Sequence, residues 1–333
     1  MRSNKTAIVT GGAGFIGSHL VELLIENDFN VRVIDDFSGG RSENLSGVIN
    51  EPTLEVINRN ICEISPTDNV FSQVDTIYHL AGRGDIVPSI ENPMEYMEVN
   101  VQGTVRVLEG ARRSAKRFVY AASSSCYGLA NVPTSESHPI EPMYPYALSK
   151  YMGESAAFHW GNVYGLPVNS ICIFNAYGPR VKTKGVYGAV FGVFLKQKLS
   201  GKPLTIIGDG TQSRDFVYVT DVARAFFLAS LTTYTHQRFN IGGGNPQEIR
   251  HLADLIGGEK VYIPKRPGEP DVTFADISKA KSKLNWTPEV NFEIGVSKML
   301  ENIHLWEDAP LWEADRIAEA TKVWNEYLGK HEI

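Results

Sequence analysis

The stretch "AIVTGGAGFIGSHLVELL", residues 7–24, decides the fold, because two incompatible local preferences meet across four glycines. Ala7, Ile8 and Val9 suit a buried strand, while His19 to Leu24 reads as a helix. Gly11, Gly14 and Gly17 give G-x-x-G-x-x-G at the joint, with Phe15 and Ile16 between the last two. Such spacing gives a tight turn, a backbone that can approach a pyrophosphate, and close contact of helix with strand. Amides at the helix N-terminus meet phosphates where the helix dipole favours negative charge.

A second strand, "VRVID" (31–35), ends in Asp35 and is followed by Asp36, about one strand-helix-strand unit after the glycines. A carboxylate there accepts hydrogen bonds from an adenosine ribose diol and repels a 2′-phosphate, so the pattern favours NAD over NADP. Arg32 and Arg41 are the residues that would take a 2′-phosphate. "VDTIYHLAG" (74–82) and "RFVYAASSSCYG" (117–128) read as further buried strands, each running into small or polar residues. Between them "VNVQGTVRVLEGARRSA" (99–115) carries apolar residues at helical spacing. Strands alternating with helices predict an α/β fold, a Rossmann-type doubly wound parallel sheet with right-handed crossovers. Ligands of such sheets sit beyond the carboxyl ends of the strands, where these small and polar clusters fall.

Composition narrows the class. The chain has 333 residues, 43% of them hydrophobic and 21% charged, with a net charge of −6. That balance fits a globular enzyme and offers no basic surface for nucleic acid or an anionic membrane. No apolar run reaches the length of a membrane span. The first strand begins almost at Met1, leaving no room for a secretory signal, and a cytoplasmic location is expected. Cys62, Cys126 and Cys172 are odd in number and widely spaced, so neither a disulfide framework nor a metal site is expected.

The reacting group is read from "YPYALSKY" (144–151). Tyr146 and Lys150 lie four apart, on one helix face. A phenol with a pKa near ~10 is a poor base at neutral pH. A nearby ammonium, together with a cationic nicotinamide ring, would lower that value. Lys150 could also hold the nicotinamide ribose. A hydroxyl from Ser123, Ser124 or Ser125 would orient a substrate alcohol. His79, inside a strand, is expected to pack, and His159 to lie on a helix surface.

Together, the glycine joint, the Ser123-Ser124-Ser125-Cys-Tyr-Gly run and Tyr146-x-x-x-Lys150 resemble the extended short-chain dehydrogenase/reductases, the sugar-nucleotide epimerases and dehydratases. The likeness continues through "FNAYGPR" (174–180), "GDGTQSRDFVYVTDVARAF" (208–226), "FNIGGG" (239–244) and "KRPGEPD" (265–271). It covers the chain to about residue 300 and is nearest to the UDP-hexose 4-epimerases, including those for N-acetylated sugars. The resemblance implies that Tyr146 takes the O4 proton, that C4 gives its hydride to NAD, and that a 4-keto sugar forms, turns over and is reduced on its other face. It places Ser123 at the catalytic Ser/Thr position. Dehydratases carry an Asp-Glu pair directly after that position and decarboxylating relatives a Glu in the same run. Ser124 and Ser125 stand here instead, and two hydroxyls cannot readily move the C5 proton and protonate a C6 leaving group.

By the same resemblance, Asn175, Arg214 and Arg266 contact the sugar diphosphate and Glu269 the nucleoside ribose. Ala189 and Val190 begin a helix that closes over the nucleotide, and Leu204 and Ile206 flank its base. Asn60 and Ile61, Leu80, Ala81 and Gly82, and Asn100 line the cofactor cleft, and Arg180 either reaches the phosphates or anchors the second lobe. Three positions depart from the family pattern: Gly84 replaces a cofactor-loop lysine, Asn60 replaces an acidic residue facing adenine, and Thr273 stands where some members carry a gating tyrosine. A small gate should admit a 2-acetamido group.

The expected layout is a cofactor domain over 1–175 with a return segment near 207–243, a substrate lobe from 176–206 and 244–305, and a helical tail over 308–333. In the tail, Trp312, Ile317, Ala320, Trp324 and Leu328 recur at near-helical spacing, predicting one amphipathic helix. Family members dimerise through two helices, here those starting near Asn100 and Tyr146. The alternatives are a nucleotide-sugar 4,6-dehydratase or 4-dehydrogenase that releases a keto sugar, and a non-catalytic NAD(H)-binding sensor.

Overall fold

The computed structural model describes residues 5–183 and 189–329. The opening stretch folds as its sequence dictates: β1 (Thr6–Thr10) runs through the glycines into α1 (Phe15–Glu26). Then come β2 (Asn30–Asp35), β3 (Leu54–Asn58) and β4 (Thr76–His79), the helices α2 (Ile86–Glu91), α3 (Pro93–Met97) and α4 (Thr104–Ala111), and β5 (Arg117–Ser123). The helical pattern over 99–115 is interrupted at its start, since Glu98–Gly103 forms a wider π-type turn before α4. Next are α5 (Pro145–Tyr164), with Pro145 at its first position, and β6 (Val168–Ile173). A proline is tolerated there because the first helical N–H has no carbonyl to meet.

From here the chain alternates between two bodies. The second body takes β7 (Asn175–Tyr177), α6 (Val190–Leu199), β8 (Leu204–Ile207), β9 (Ser213–Arg214) and β10 (Phe216–Tyr218). α7 (Val219–Leu231) and β11 (Gln237–Ile241) return to the first body, and β12 (Gln247–Glu248), α8 (Ile249–Ile256) and β13 (Lys260–Ile263) belong to the second. α9 (Ser278–Leu284), α10 (Phe292–Glu301), α11 (Ala314–Ala320) and α12 (Lys322–Leu328) complete the order.

The main sheet has seven strands, ordered β11-β6-β5-β4-β1-β2-β3, and every pairing is parallel. β1 and β4 carry no exposed side chain, as expected of a sheet covered by helices on both faces. The order reverses beside β1, so the glycine joint sits at the topological switch point, where such sheets bind ligands. A second core gathers Tyr177, Phe191, Phe216 and Phe292 in ring contact, with the Tyr177 and Phe191 rings stacked 4.6 Å apart.

Two expected boundaries move. The return to the first body is made within α7, where Val219 still packs in the second core and Val222, Ala223 and Phe226 in the first, because β8 pairs with β13 and β10 with β7 before it. Ala275, Ile277, Leu284 and Trp286, expected in the substrate lobe, pack into the first core instead. The tail is two short helices, broken at Thr321, whose hydroxyl bonds back to the Ile317 carbonyl at 2.8 Å. Residues 330–333 of the expected tail lie outside the described residues.

Candidate active site

The floor of the cleft is the glycine joint. Gly11 has φ +69°, a left-handed conformation that favours glycine, and a Cβ there would lie 2.7 Å from the Ala81 amide nitrogen. A Cβ on Gly17 would run into the Gly11 carbonyl oxygen, so the helix can approach the strand only without one. The first turn of α1 leaves amides with no intrahelical carbonyl at the mouth of this floor. A cavity of about 420 Å³ opens above it, lined among others by Gly11, Gly14, Phe15, Ile16, Gly17, Asp35 and Asp36. Asn60, Ile61, Leu80, Ala81, Gly82, Tyr146 and Lys150 line it as well. Asp35 is buried, and desolvation raises its pKa against the opposing hydrogen bonds from the Phe37 and Ala13 amides. Arg32 is engaged elsewhere, donating to the Val70 and Ser72 carbonyls and pairing with Glu55, and Arg41 bonds Asn44. A glycine floor, helix amides and a buried carboxylate at the end of β2 fit a dinucleotide whose ribose carries a free 2′-hydroxyl. Gly84 also lines the cleft, and a Cβ there would meet nothing within 4 Å.

Asn100 is a correction. It is 1% exposed and sits behind the loop, accepting from the Arg83 amide at 2.8 Å and donating to the Arg83 carbonyl and to Ser149 Oγ. Its polar atoms fix the loop onto α5, and it does not line the cleft. His79 packs as expected: its ring nitrogens meet Thr10 Oγ1 and Thr104 Oγ1 at 2.8 and 2.9 Å, and burial lowers its pKa to about 3. His159 is exposed on α5.

At the carboxyl end of β5, Ser123 accepts from the Ser125 amide at 3.2 Å, and its side chain acts on the Tyr146 phenol against the effect of burial. Ser124 and Ser125 follow in the short turn of Ser124–Tyr127, where Ser125 acts on the Tyr144 phenol against the effect of burial. The Tyr144 and Tyr146 rings stack 6.4 Å apart, and Tyr96 meets Tyr146 edge-on. Lys150 lies one turn along α5, its ammonium 4.6 Å from the Tyr120 ring centroid, and burial lowers its pKa to about 8.

The expected lowering of the phenol by Lys150 is not what the chain alone produces. Burial dominates and pushes the Tyr146 phenol well above its ordinary value, and Ser123 opposes this only in part. A positive charge entering the cleft would favour the phenolate.

In the second body a cavity of about 570 Å³ is lined by Arg214 and Glu269 together with Gln212, Lys265 and Asp271. Arg214 pairs with Glu269 at 2.7 Å, and Arg266 Nε stands 3.7 Å from the same carboxylate. Thr273 donates to Asn175 Oδ1 at 2.8 Å and accepts from the Asp215 amide. Leu204 and Ile206 are a second correction. Both are fully buried in the second core, and the next residue, Ile207, lines the cavity instead. Ala189 caps α6, and Val190 packs on the same core. Arg180 pairs with Glu22 of α1 at 2.6 Å, which anchors the second body to the first. Sequence reading passed over Arg83, Asp85, Val181 and Lys182 in the cleft, and Lys265 in the second cavity. It also missed Asp215, which accepts from the Gly244 and Ala275 amides and so joins the two loops beside the site.

Among the described residues no cluster of metal-ligating side chains occurs, and no helix is long and apolar enough to cross a membrane.

The sequence model described as GDP-mannose 4,6 dehydratase matches residues 8–299. A UDP-glucose 4-epimerase of Mycolicibacterium smegmatis is 36% identical over 304 residues, 88% of this chain and 97% of that one. Among solved structures, the UDP-N-acetylglucosamine 4-epimerase of Methanobrevibacter ruminantium M1, in complex with UDP-N-acetylmuramic acid, superposes with a TM-score of 0.84 at 31% identity, covering 90% of this chain and 99% of that one. The UDP-glucuronic acid 4-epimerase of Bacillus cereus, in complex with UDP-glucuronic acid and NAD, gives 0.84 at 30% identity with the same coverage. With its glycine-floored cleft and its Ser123, Tyr146 and Lys150 cluster, the chain belongs to the NAD-dependent nucleotide-sugar epimerase and dehydratase family of extended short-chain dehydrogenase/reductases.

Proposed function

We propose that the protein inverts C4 of a UDP-hexose, with NAD as its bound cofactor. The observation that carries this reading is one wall of one cleft: Tyr146 and Lys150 line the cavity that the glycine joint floors, and Ser123 acts on the phenol to favour its ionised form. Gly11 to Gly17, Asp35 and the loop of Leu80 to Gly82 would hold the dinucleotide. Held there, NAD would supply hydride acceptance from C4 and hydride return to it.

The remaining work falls to the chain. Ser123 orients the substrate hydroxyl at the Tyr146 oxygen. Tyr146 draws off the O4 proton as a 4-keto sugar forms and gives the proton back as the new alcohol forms. Lys150, charged at neutral pH with its pKa near 8, steadies the phenolate electrostatically. Arg214 and Arg266 would grip the diphosphate, a task for planar and permanently charged groups, while Glu269 holds the nucleoside ribose. Pinned at the diphosphate, the keto sugar can turn its other face to the same hydride donor. Ser124 and Ser125 supply hydroxyls but no carboxylate for elimination at C5 and C6, which favours inversion over dehydration.

Thr273 presents no ring at the sugar gate, and we read the substrate as including 2-acetamido and uronic forms of the hexose. The product would serve polysaccharide synthesis in the cytoplasm. α5 leaves Leu148 and Met152 about two-fifths exposed, which supports pairing of two copies through α4 and α5; light scattering should give twice the chain mass. Incubation with UDP-, GDP-, CDP- and dTDP-sugars, followed by NMR of the anomeric protons, tests the reaction. The 4-epimer of a UDP-sugar should appear with no net change in reduced dinucleotide. Accumulation of a keto sugar would refute inversion, and turnover of plain UDP-hexoses alone would refute the small gate.

A further inference from the structure

The family model ends at residue 299, yet the described chain continues to 329 and stays folded on the protein. This continuation visits both bodies. Its first half is built into the second core, where Trp306, Ala309, Trp312 and Ile317 are buried. It is held to α6 by hydrogen bonds from Lys196 to the Glu307 carbonyl and from Gln197 to the Trp312 carbonyl. Its second half leaves that core and lands on the first body, where Trp324 and Leu328 pack with Val87 of α2, flanked by Ile86, Ile90 and Tyr144.

Trp324 is the pivot of this landing. It is 5% exposed and touches three parts of the site's frame. Its ring lies 5.9 Å from that of Tyr144, which in turn stacks on Tyr146. Its indole N–H donates to the Pro267 carbonyl at 2.8 Å, in the turn between Arg266 and Glu269. Its neighbours Ile86 and Val87 directly follow Asp85, which lines the cofactor cleft. One side chain therefore ties the reacting phenol's backing ring to the arginine-bearing turn across the boundary between the bodies.

We propose that residues 308–329 are a strap holding the two bodies closed over the sugar nucleotide, and that Trp324 is its positioning residue, keeping the keto sugar in place until it is reduced. This rests on the 4-epimerase reading. Loss of the ring contact loosens Tyr144 against Tyr146, and loss of the N–H bond frees the Arg266 to Glu269 turn. If the keto sugar escapes before the hydride returns to C4, that hydride stays on the dinucleotide. The chain is then left with reduced cofactor, and one molecule of 4-keto sugar appears in solution for each.

The test compares the full-length parent with Trp324→Ala, Trp324→Phe and Val87→Ala. Trp324→Ala should lower kcat/KM by about 10- to 100-fold, since small misplacements of a reacting group are that costly. It should also build up reduced dinucleotide absorbance during turnover, which the parent does not. Calorimetric titration with UDP alone should show weaker binding by the variant. Trp324→Phe keeps a ring on Tyr144 and loses the bond to Pro267, so KM should rise with kcat nearly unchanged. Val87→Ala, made from the opposite side, should reproduce the leak and be non-additive with Trp324→Ala. Unchanged UDP affinity, KM and dinucleotide absorbance in folded Trp324→Ala overturns the strap while leaving the parent's epimerisation intact. If Trp324→Ala does not fold, Trp324→Phe and Val87→Ala decide on the same readings. If the parent inverts no UDP-hexose, the functional reading falls, and UDP affinity alone then judges the strap.

Discussion

The two cavities are built by different physical means. In the cofactor cleft the backbone does most of the work, through a left-handed Gly11, a helix start at Gly14 and amides that fix Asp35. In the second cavity the work falls to long side chains, Arg214, Lys265 and Glu269, brought together from distant strands and loops. A backbone site tolerates almost no change in shape, whereas a side-chain site can be retuned by substitution. Under the proposed function, that difference would let one fold keep one cofactor while its sugar nucleotide varies.

The sharpest way to break this contrast lies where the two halves meet. Tyr146→Phe keeps the ring against Tyr144 and Tyr96 but removes the hydroxyl. Turnover should fall by about 10³-fold, the scale of general acid-base catalysis, with dinucleotide retention unchanged on purification. A loss of only a few-fold would mean that another group moves the proton.

Next in size is Gly17→Ala on the backbone side. The added methyl meets the Gly11 carbonyl, so α1 must withdraw from β1. Thermal unfolding should reveal a loss of roughly 1–3 kcal/mol, as for overpacked cores, and dinucleotide affinity should drop with it. Arg214→Lys probes the side-chain half. The charge stays but the planar fork goes, and KM for the sugar nucleotide should rise by about tenfold with kcat little changed. If Gly17→Ala proved milder than Arg214→Lys, the backbone would not be the stricter of the two.

The gentlest probe is pH. Burial lowers Lys150 to about 8, so the free chain carries its ammonium at pH 7 and loses it as pH rises through 8. kcat/KM, which reports the free enzyme, should bend downward near pH 8, and Lys150→Met should lack that limb. The same shift bears on stability. An unfolded lysine holds its proton to about 10.4, so the native chain gains stability relative to the unfolded chain as pH climbs from 8 toward that value. Activity and stability should therefore move in opposite directions above pH 8.

Much of the first body was legible because its signals are local. Strand, glycine joint and helix follow within twenty residues, and Asp35 closes the next strand. Tyr146 and Lys150 were equally plain, since four residues of helix fix their common face. What failed were features set by parity and by distant contacts. β8 is covered over its first three residues, so no alternation in "LTII" distinguishes Ile206, facing the core, from Ile207, facing the cavity. Asn100 resembled a cleft residue, but its amide is consumed by Arg83 and Ser149. The spacing of Trp312 to Leu328 described one helix, and only the packing of its halves on separate cores explains the break at Thr321. The burial that raises the Tyr146 phenol, and the electrostatic influence of Cys126 and Tyr144 that adds to it, likewise come from tertiary neighbours that no local pattern discloses.

Behind the reacting face of α5, Glu154 is 1% exposed and bonds Arg238 of β11 and Ser170 of β6. A buried pair is costly to break singly and nearly immovable while intact. The helix bearing Tyr146 and Lys150 is thus bolted to the sheet from its far side, independently of whatever sugar lies before it. Changes to the second cavity that spare the Pro267 turn, and with it the contact of Trp324, should leave this mounting undisturbed.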